Sequence, residues 1–293
     1  MDVIRTVNEM QAHANAARAE GQTLALVPTL GALHEGHLTL VRTALEEADH
    51  VTVSVFVNPI QFGPDEDYDE YPRDLEGDQE KLEALNVDAL FAPSVNEMYP
   101  YANDEALPGP LAWVSVDRLD EHLCGAYREG HFRGVTTVVT KLFHACKPDL
   151  AVFGKKDAQQ YVILQRLVET LLFDIDIVGV PTVREPDGLA TSSRNEYLDP
   201  EEREQASVLF QAVTAAEEAI NGGEQEAEAV VRAMENKLAA APDGEVEYAE
   251  VVDANTLQPT DHLAPGQDVL AAVAVYFGDT RLIDNTFVEV PRA

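Results

Sequence analysis

Two histidines three residues apart, His34 and His37, lie in the segment 28–37, which reads PTLGALHEGH. An apolar run precedes this segment and helical periodicity follows it, so we expect a strand, a loop and then a helix that begins near Gly36. The N–H groups and the dipole at such a helix start favour phosphate, and two imidazoles can donate to phosphate oxygens as charge develops. Gly31 would let the backbone approach the ligand closely. The segment therefore indicates a nucleotide site; the alternative is two histidines that only cap a helix.

A second candidate for phosphate binding is FGKKDAQQ, residues 153–160. Its two lysines, Lys155 and Lys156, stand where a predicted strand ends and a helix begins. The segment lacks the pattern of a Walker A loop. The alternative, lysine as ordinary surface charge, is less natural in a chain that holds only six lysines.

A third candidate is residues 184–195, REPDGLATSSRN. Ser192, Ser193 and Arg194 follow a glycine turn, and adjacent hydroxyls with a guanidinium can clamp a phosphate. One of the serines could instead cap a helix, and the two functions are compatible.

Amide and cationic side chains elsewhere suit a small organic acid. Asn58 and Gln61 follow the clearest predicted strand, and their amides can hydrogen-bond a hydroxyl or a carboxylate; a polar turn held by Pro59 is the alternative. Arg128 and His131 flank glycines and could grip an anion, or could belong to a surface loop.

Several carboxylates between Asp65 and Asp78 could hold Mg²⁺ through the shell of a bound phosphate. A solvated acidic loop is the alternative reading of this run. Spacing alone does not choose among the carboxylates.

Strands that alternate with helices must position these segments. We expect strands over residues 23–28, 50–57, 87–92, 150–153 and 175–183, and helices over 36–48, 75–85, 136–145 and 157–172. The alternation predicts an α/β, Rossmann-like domain with a parallel sheet. Ligands of such sheets bind outside the carboxyl ends of the strands, which the candidate loops follow.

The sequence changes character near residues 184–188. Residues 201–221 and 224–241 have the pattern of acidic, alanine-rich helices, and residues 246–252, 269–276 and 282–290 alternate as antiparallel strands do. We therefore predict a catalytic domain over residues 1–185 and a smaller α+β lid domain over residues 186–293.

The chain carries 53 acidic and 20 basic residues, a formal net charge of −33 at pH 7. This charge disfavours nucleic acid and anionic membranes as partners. A well-solvated surface would account for it; we favour adaptation to high salt, because such self-repulsion destabilises a compact state in dilute buffer. Residues 128–194 differ, with nine basic and eight acidic side chains, which is what a site for an anionic ligand requires.

Only two cysteines, Cys124 and Cys146, occur, and the sequence has no secretory signal and no apolar run of membrane-spanning length. These features predict a cytoplasmic protein with reduced thiols. The absence of GxGxxG, of a nucleophile elbow and of a CxxC pair disfavours dehydrogenase, hydrolase and redox functions.

Taken in order, these segments resemble the pantothenate synthetase family over residues 23–203. The family motifs PTMGALHEGH and REPDGLAMSSRN are present with Leu30 and Thr191 in place of methionine, and RPGHFRGV is present with Glu129 in place of proline. FVNPxQF and FGxKDxQQ are intact. Five motifs in the right order are far more specific than any one of them.

The resemblance implies that ATP and pantoate give pantoyl adenylate and pyrophosphate, and that β-alanine then displaces AMP. The catalytic residues that it implies are His34, His37, Lys156, Ser192, Ser193 and Arg194, the last four as a mobile phosphate clamp. The implied pantoate-binding residues are Leu30, Asn58, Gln61, Arg128, His131 and Gln160. The implied nucleotide-binding residues are Pro28, Gly31, Gly154, Lys156, Asp157, Val183 and Thr191.

The resemblance also implies a Mg²⁺ ligand at Asp78. The family often has a second carboxylate beside it, where this chain has Gly77. Family members are typically homodimers joined through the N-terminal domain, so a homodimer is expected here.

Two other functions stay open at this point. Another HxGH nucleotidyltransferase would move AMP or CMP onto a phosphate and would need neither β-alanine nor a pocket built from Gln61 and Gln160. A catalytically silent, acidic binding protein would tolerate changes at His34 or Lys156.

Overall fold

The computed structural model describes residues 1–64, 66–101 and 109–292 of the chain. The chain forms two compact units. Unit 1 comprises Met1–Asp117, Arg128–Lys155 and Ile163–Val180, and unit 2 comprises Arg118–Tyr127, Lys156–Val162 and Pro181–Ala293. The chain thus passes from one unit to the other five times, whereas the composition suggested one division after residue 185.

Nine strands and ten α-helices make up the described part. The strands are β1 (Asp2–Ile4), β2 (Leu24–Thr29), β3 (His50–Val55), β4 (Ala89–Phe91), β5 (Leu150–Gly154), β6 (Asp176–Val180), β7 (Gly244–Asp253), β8 (Asp268–Phe277) and β9 (Thr280–Glu289). The helices are α1 (Val7–Ala19), α2 (Glu35–Glu47), α3 (Leu75–Ala84), α4 (Val95–Met98), α5 (Cys124–Tyr127), α6 (His131–Cys146), α7 (Ala158–Leu171), α8 (Pro200–Gln205), α9 (Val208–Asn221) and α10 (Ala227–Leu238).

Six parallel strands form the sheet of unit 1, in the order β1-β4-β3-β2-β5-β6. The inner strands are apolar runs that are buried along most of their length, as expected for a parallel sheet covered on both faces. The α/β fold predicted from the alternating pattern is confirmed.

The order of the strands reverses at β2. This strand pairs with β3 on one side and with β5 on the other. Open parallel sheets bind their ligands outside the carboxyl ends of the strands, at such a switch point. Because the strands are parallel, the loops that follow β2, β3 and β5 emerge at the same edge, and each carries predicted site residues.

Three antiparallel strands, in the order β7-β8-β9, form the sheet of unit 2. The helices α9 and α10 contribute Leu209, Ile220 and Met234 to a core that includes Phe277 of the central strand, and all four side chains are fully buried. The smaller α+β part predicted from the sequence is thereby confirmed.

Several elements differ from the sequence prediction, and the short helices α4 and α5 were not predicted. The short strand β1 was missed, because three residues are too few to show a period. Residues 201–221 form two helices rather than one: the N–H of Leu209 bonds to the carbonyl of Ala206, three residues back, and the helix restarts there. The helix expected from residue 136 begins at His131, so the segment considered as a surface loop is helical from that residue onward. Within the described residues, no helix is both long and apolar enough to cross a membrane.

Candidate active site

The two histidines of the first motif hold the start of α2. His34 is the N-cap residue; its Nδ1 accepts the N–H of Gly36 at 3.1 Å, and Nδ1 of His37 accepts the N–H of His34 at 3.4 Å. A backbone N–H can only donate, so the proton of each neutral ring lies on Nε2. The ring centroids are 4.1 Å apart. The helix therefore begins with two Nε2–H donors beside the N–H groups of its first turn, which suits a phosphate.

One buried carboxylate holds the loop between β2 and α2. Asp78, in α3, accepts the N–H of Ala32 at 2.9 Å through Oδ2 and the N–H of Leu33 at 2.7 Å through Oδ1. Nζ of Lys81 donates to the carbonyl of Leu33 at 2.7 Å. The loop needs this support, because Gly31 and Ala32 both have positive φ, +95° and +50°.

Asp78 does not fit a role as ligand of a hydrated Mg²⁺. Its side chain is 1% exposed, and Mg²⁺ keeps several waters that need room. Burial raises the pKa of Asp78, against the opposing effects of the Leu33 and Ala32 amides and the charge of Lys81. Within the described residues, no group of three or more His, Cys, Asp or Glu side chains is placed to hold a metal. Asp65, in the same acidic run, lies outside the described residues.

Gln61 is oriented by hydrogen bonds that begin at a buried tyrosine. The hydroxyl of Tyr99 donates to Oδ1 of Asn58 at 2.8 Å. Nδ2 of Asn58 donates to Oε1 of Gln61 at 3.0 Å and to the carbonyl of Gly134 at 3.3 Å. With its oxygen turned toward Asn58, the Gln61 amide has its NH2 group to offer to a ligand.

His131 holds the same segment through its backbone, and Arg128 contacts His131 and Glu66. Arg128 donates to Glu66 from Nε at 2.8 Å and from Nη2 at 2.6 Å. Nη1 of Arg128 lies 3.1 Å from Nε2 of His131, and Nδ1 of His131 lies 2.7 Å from the carbonyl of Gln61. A guanidinium only donates, so Nε2 accepts and Nδ1 carries the proton. Both side chains thus contact protein groups around Gln61; a contact with pantoate stays a prediction.

A glycine in α6 lets that helix approach Gln61. A Cβ atom at Gly134 would lie 2.3 Å from the carbonyl oxygen of Ile60 and 2.6 Å from Cα of Gln61. Any side chain at this position would push the 3₁₀ turn Pro59–Gln61 out of place. The packing of α6 against this turn therefore requires a glycine here.

The adjacent glutamines of the FGKKDAQQ segment have different environments. Gln159 is 4% exposed, and its Nε2 donates to the carbonyls of Leu119 at 2.9 Å and His122 at 2.8 Å. Gln160 is partly exposed, as are Gly154 at the end of β5 and Lys156 in the next turn. Gln159 is therefore an anchor within unit 2, and a contact between Gln160 and a ligand stays a prediction.

Ser192 caps a 3₁₀ helix, Ser193–Tyr197, and its Oγ accepts the N–H of Arg194 at 3.3 Å. The backbone N–H of Thr191 donates to the carbonyl of Val183 at 2.9 Å. The capping function considered for these serines is present, and it leaves their hydroxyl protons available to a ligand.

Ion pairs hold the segment that precedes this 3₁₀ helix within unit 2. Arg203 binds Glu185 at 2.5 Å and Asp187 at 2.6 Å, and Nδ2 of Asn195 donates to Glu185 at 2.8 Å. Arg184 binds Asp284 through two nitrogens, at 2.6 and 3.0 Å. The motif REPDGLATSSRN thus contains residues that anchor it to Arg203 and Asp284 as well as its candidate phosphate ligands.

The predicted residues are divided between the two units. Unit 1 holds the following at or near the carboxyl edge of its sheet: Pro28, Leu30, Gly31, His34, His37, Asn58, Gln61, Asp78, Arg128, His131 and Gly154. Unit 2 holds Lys156, Asp157, Gln160, Val183, Thr191, Ser192, Ser193 and Arg194. Sequence reasoning missed Tyr99, which gives no periodic signal, and Glu66, which is indistinguishable from its acidic neighbours.

The chain is similar in sequence and in structure to known proteins. The family model for pantoate-beta-alanine ligase matches residues 2–287. A pantothenate synthetase from Salinibacter ruber is 85% identical over 293 residues, covering 100% of this chain and 99% of that protein. One from Moorella thermoacetica is 50% identical over 290 residues, covering 99% of both.

Solved structures of pantothenate synthetases are also similar to this chain. Pantothenate synthetase from Thermus thermophilus superposes with a TM-score of 0.89 at 44% identity, covering 100% of both chains. Pantoate-beta-alanine ligase from Francisella tularensis, complexed with beta-gamma ATP and beta-alanine, gives 0.78 at 31% identity and covers 98% of this chain and 97% of that one. The family indicated by the five motifs is confirmed: the chain belongs to the pantoate-beta-alanine ligase family.

Proposed function

We propose that this protein joins pantoate to β-alanine at the expense of ATP, through a pantoyl-adenylate intermediate that releases pyrophosphate and then AMP. The observation that carries the proposal is the pair of Nε2–H donors of His34 and His37 at the start of α2. They stand beside β2, where the order of the strands reverses. The family match supplies the identity of the substrates.

In the first step a carboxylate oxygen of pantoate attacks the α-phosphorus of ATP, and the bond to the bridging oxygen breaks as pyrophosphate leaves. Negative charge moves onto the phosphate oxygens, and donors fixed at that place stabilise it more than the ground state. His34 and His37 are assigned this function. Because each ring is held through Nδ1, little reorganisation is needed when the charge develops.

Unit 2 supplies the remaining phosphate ligands in this proposal. Lys156 and Arg194 bring positive charge, and the hydroxyls of Ser192 and Ser193 bring donors. Support comes from the local geometry of the 3₁₀ helix that these serines open and from the ion pairs that hold the segment before it. The backbones of Pro28, Gly31, Gly154, Val183 and Thr191, with Asp157, would line the nucleotide.

We assign the binding of pantoate to the side-chain amides of two glutamines. The NH2 group of Gln61 can donate to a hydroxyl or carboxylate oxygen, and Gln160 can contribute from the start of α7. Leu30 would supply apolar contact; Asn58, Arg128 and His131 would act mainly by holding Gln61.

In the second step the amine of β-alanine attacks the acyl carbon of the adenylate, AMP leaves with the electrons of the broken acyl-oxygen bond, and the proton that the amine loses passes to the leaving phosphate or to solvent. This step needs the two groups held close together and shielded from water more than it needs a strong acid or base. No residue is assigned to proton transfer.

Four further properties belong to the proposal. Mg²⁺ would enter bound to the ATP phosphates, as it does in many nucleotide sites, with Asp78 serving as the loop anchor. The protein would act in the cytoplasm and as a homodimer, as the family resemblance implies. The net charge of −33 supports function in high salt.

Exchange of labelled pyrophosphate into ATP tests the first step. We expect exchange that requires pantoate and Mg²⁺ but not β-alanine, and AMP release on addition of β-alanine. The His37→Ala variant should lower the exchange rate by about 10²–10³-fold with a smaller change in the affinity for ATP. Transfer of AMP to a phosphate acceptor without pantoate would favour a different nucleotidyltransferase, and absence of turnover in low and molar KCl would favour a binding protein.

A further inference from the structure

The amide of a glutamine has two ends of nearly equal shape and opposite polarity. One end accepts hydrogen bonds and the other donates them, so a rotation of half a turn would change which substrates Gln61 can bind. The orientation of this amide is therefore a matter of specificity, and the surrounding groups must determine it.

The direction of the hydrogen bonds is fixed at one end by a backbone carbonyl. Gly134 offers only its carbonyl oxygen to Asn58, at 3.3 Å, so the Asn58 atom that faces it is the nitrogen. The same nitrogen faces Gln61 at 3.0 Å, which requires the Gln61 oxygen to be the acceptor. The oxygen of Asn58 is then left to Tyr99, at 2.8 Å.

Tyr99 completes this set of bonds from a buried position. Tyr99 is 3% exposed and Asn58 is 0% exposed, so water does not replace a lost partner. Burial raises the pKa of Tyr99, so the hydroxyl keeps its proton and remains a donor. Lys141 of α6 holds the ring in place, with Nζ 5.5 Å from its centroid.

We propose that Tyr99 is a positioning residue that fixes the Gln61 amide with its NH2 group toward the pantoate site. The inference rests on the proposed function of Gln61. By orienting Gln61, Tyr99 favours substrates that present an acceptor oxygen to the Gln61 NH2 group. Tyr99 itself does not touch the reacting atoms.

The Tyr99→Phe substitution removes one oxygen and keeps the ring. The buried oxygen of Asn58 then lacks its donor, and the two orientations of the linked amides become closer in energy. We expect the KM for pantoate to rise about 5- to 10-fold, the effect of one hydrogen bond. The KM for ATP and kcat should change less than about twofold.

A double-mutant cycle separates positioning from general structural support. In a Gln61→Ala background, Tyr99→Phe should leave the KM for pantoate unchanged, because no amide remains to be oriented. An equal rise of this KM in both backgrounds would overturn the proposal. So would a parallel loss of kcat and ATP affinity in Tyr99→Phe alone.

Tyr248→Phe is a matched control in unit 2. Tyr248 is also buried, at 6% exposure, and its hydroxyl bonds to Cys124 at 3.2 Å. This variant should keep the wild-type KM for pantoate; a rise equal to that of Tyr99→Phe would contradict the proposal. A wild-type enzyme without pantoate-dependent pyrophosphate exchange would instead remove the proposed function.

A measurement on the unaltered protein covers the case in which Tyr99→Phe does not fold. Pantoate should shift the NMR resonances of the Gln61 Nε2–H2 group, assigned by comparison with Gln61→Ala. If these resonances do not move at saturating pantoate, the NH2 group does not face the substrate and the proposal fails.

Discussion

The two loops proposed to bind the ATP phosphates are held by different kinds of contact. In unit 1 the loop between β2 and α2 is fixed by backbone bonds to the buried carboxylate of Asp78. In unit 2 the segment before the 3₁₀ helix Ser193–Tyr197 is held by Arg203, which pairs with Glu185 and Asp187. These three side chains are 30%, 31% and 41% exposed, against 1% for Asp78.

This difference in burial determines how strongly the stability of each loop depends on ionic strength. Buried hydrogen bonds are shielded from salt and are costly to break. Partly exposed ion pairs contribute little each and weaken as ionic strength rises. The comparison therefore predicts a rigid loop in unit 1 and, in unit 2, a proposed phosphate-binding segment that is displaced at lower cost.

The largest effect is expected for Gly31→Ala. This position has a φ of +95°, and a Cβ atom would lie 3.0 Å from Cγ1 of Val55 and 3.1 Å from Oδ2 of Asp78. We expect the free energy of unfolding in urea to fall by about 1–3 kcal/mol from backbone strain and further from crowding of the carboxylate. The matched control is Gly223→Ala, where φ is +93° and no atom lies within 4 Å of the added carbon. Equal losses in the two variants would show that the loop is not tightly packed.

Asp78→Asn should be next in size. The amide NH2 cannot accept, so one of the N–H groups of Ala32 and Leu33 loses its partner, at a cost of about 2 kcal/mol. The adenylation rate should fall as well, because His34 follows the loop directly. Urea unfolding in low and in molar KCl should give the same loss. A loss that disappears in high salt would mean that the charge of Asp78, rather than its hydrogen bonds, holds the loop.

Arg203→Gln should have a smaller effect that depends on salt. We expect a loss of less than about 1 kcal/mol in dilute buffer and still less in molar KCl, with the KM for ATP raised. Arg232→Gln is the control, because Arg232 forms its exposed pair with Glu228 of the same helix, α10, and not with a residue of the segment 184–195. It should share the small stability change and keep the wild-type KM. If the loss of stability in Arg203→Gln did not depend on salt, the proposed difference between the two loops would be wrong.

The smallest effect concerns the ion pair beside Gln61. Burial raises the pKa of Glu66, but the hydrogen bonds and charge of Arg128 outweigh it, so the pKa lies below the ordinary 4.5. A lowered carboxyl pKa stabilises the folded state above the unfolded value, and this stabilisation is lost as the pH falls through the folded value. The difference in Tm between wild type and Glu66→Gln should therefore be present at neutral pH and shrink below about pH 4.5. A constant difference would show that Glu66 acts without its charge.

Sequence patterns predicted the elements that carry the site better than the contacts within it. The apolar period located β2, β3 and the helix α2 that follows His34, since burial of whole faces leaves a regular signal. The pairing of Tyr99 with Asn58 spans 41 residues and leaves no such signal. The buried Asp78 resembles its exposed acidic neighbours in sequence, and only folding distinguishes Gln159 from Gln160.

The discontinuous composition of unit 2 has a consequence for synthesis on the ribosome. Residues Arg118–Tyr127 leave the ribosome long before β7, β8 and β9, yet Cys124 bonds to Tyr248 and Gln159 bonds to the carbonyl of His122 within the same unit. Unit 1 can complete its sheet once Val180 has emerged, while the early segments of unit 2 must wait for the carboxyl-terminal third of the chain. A fragment beginning at Pro181 would lack these partners, so no single cut in the chain yields the whole of unit 2.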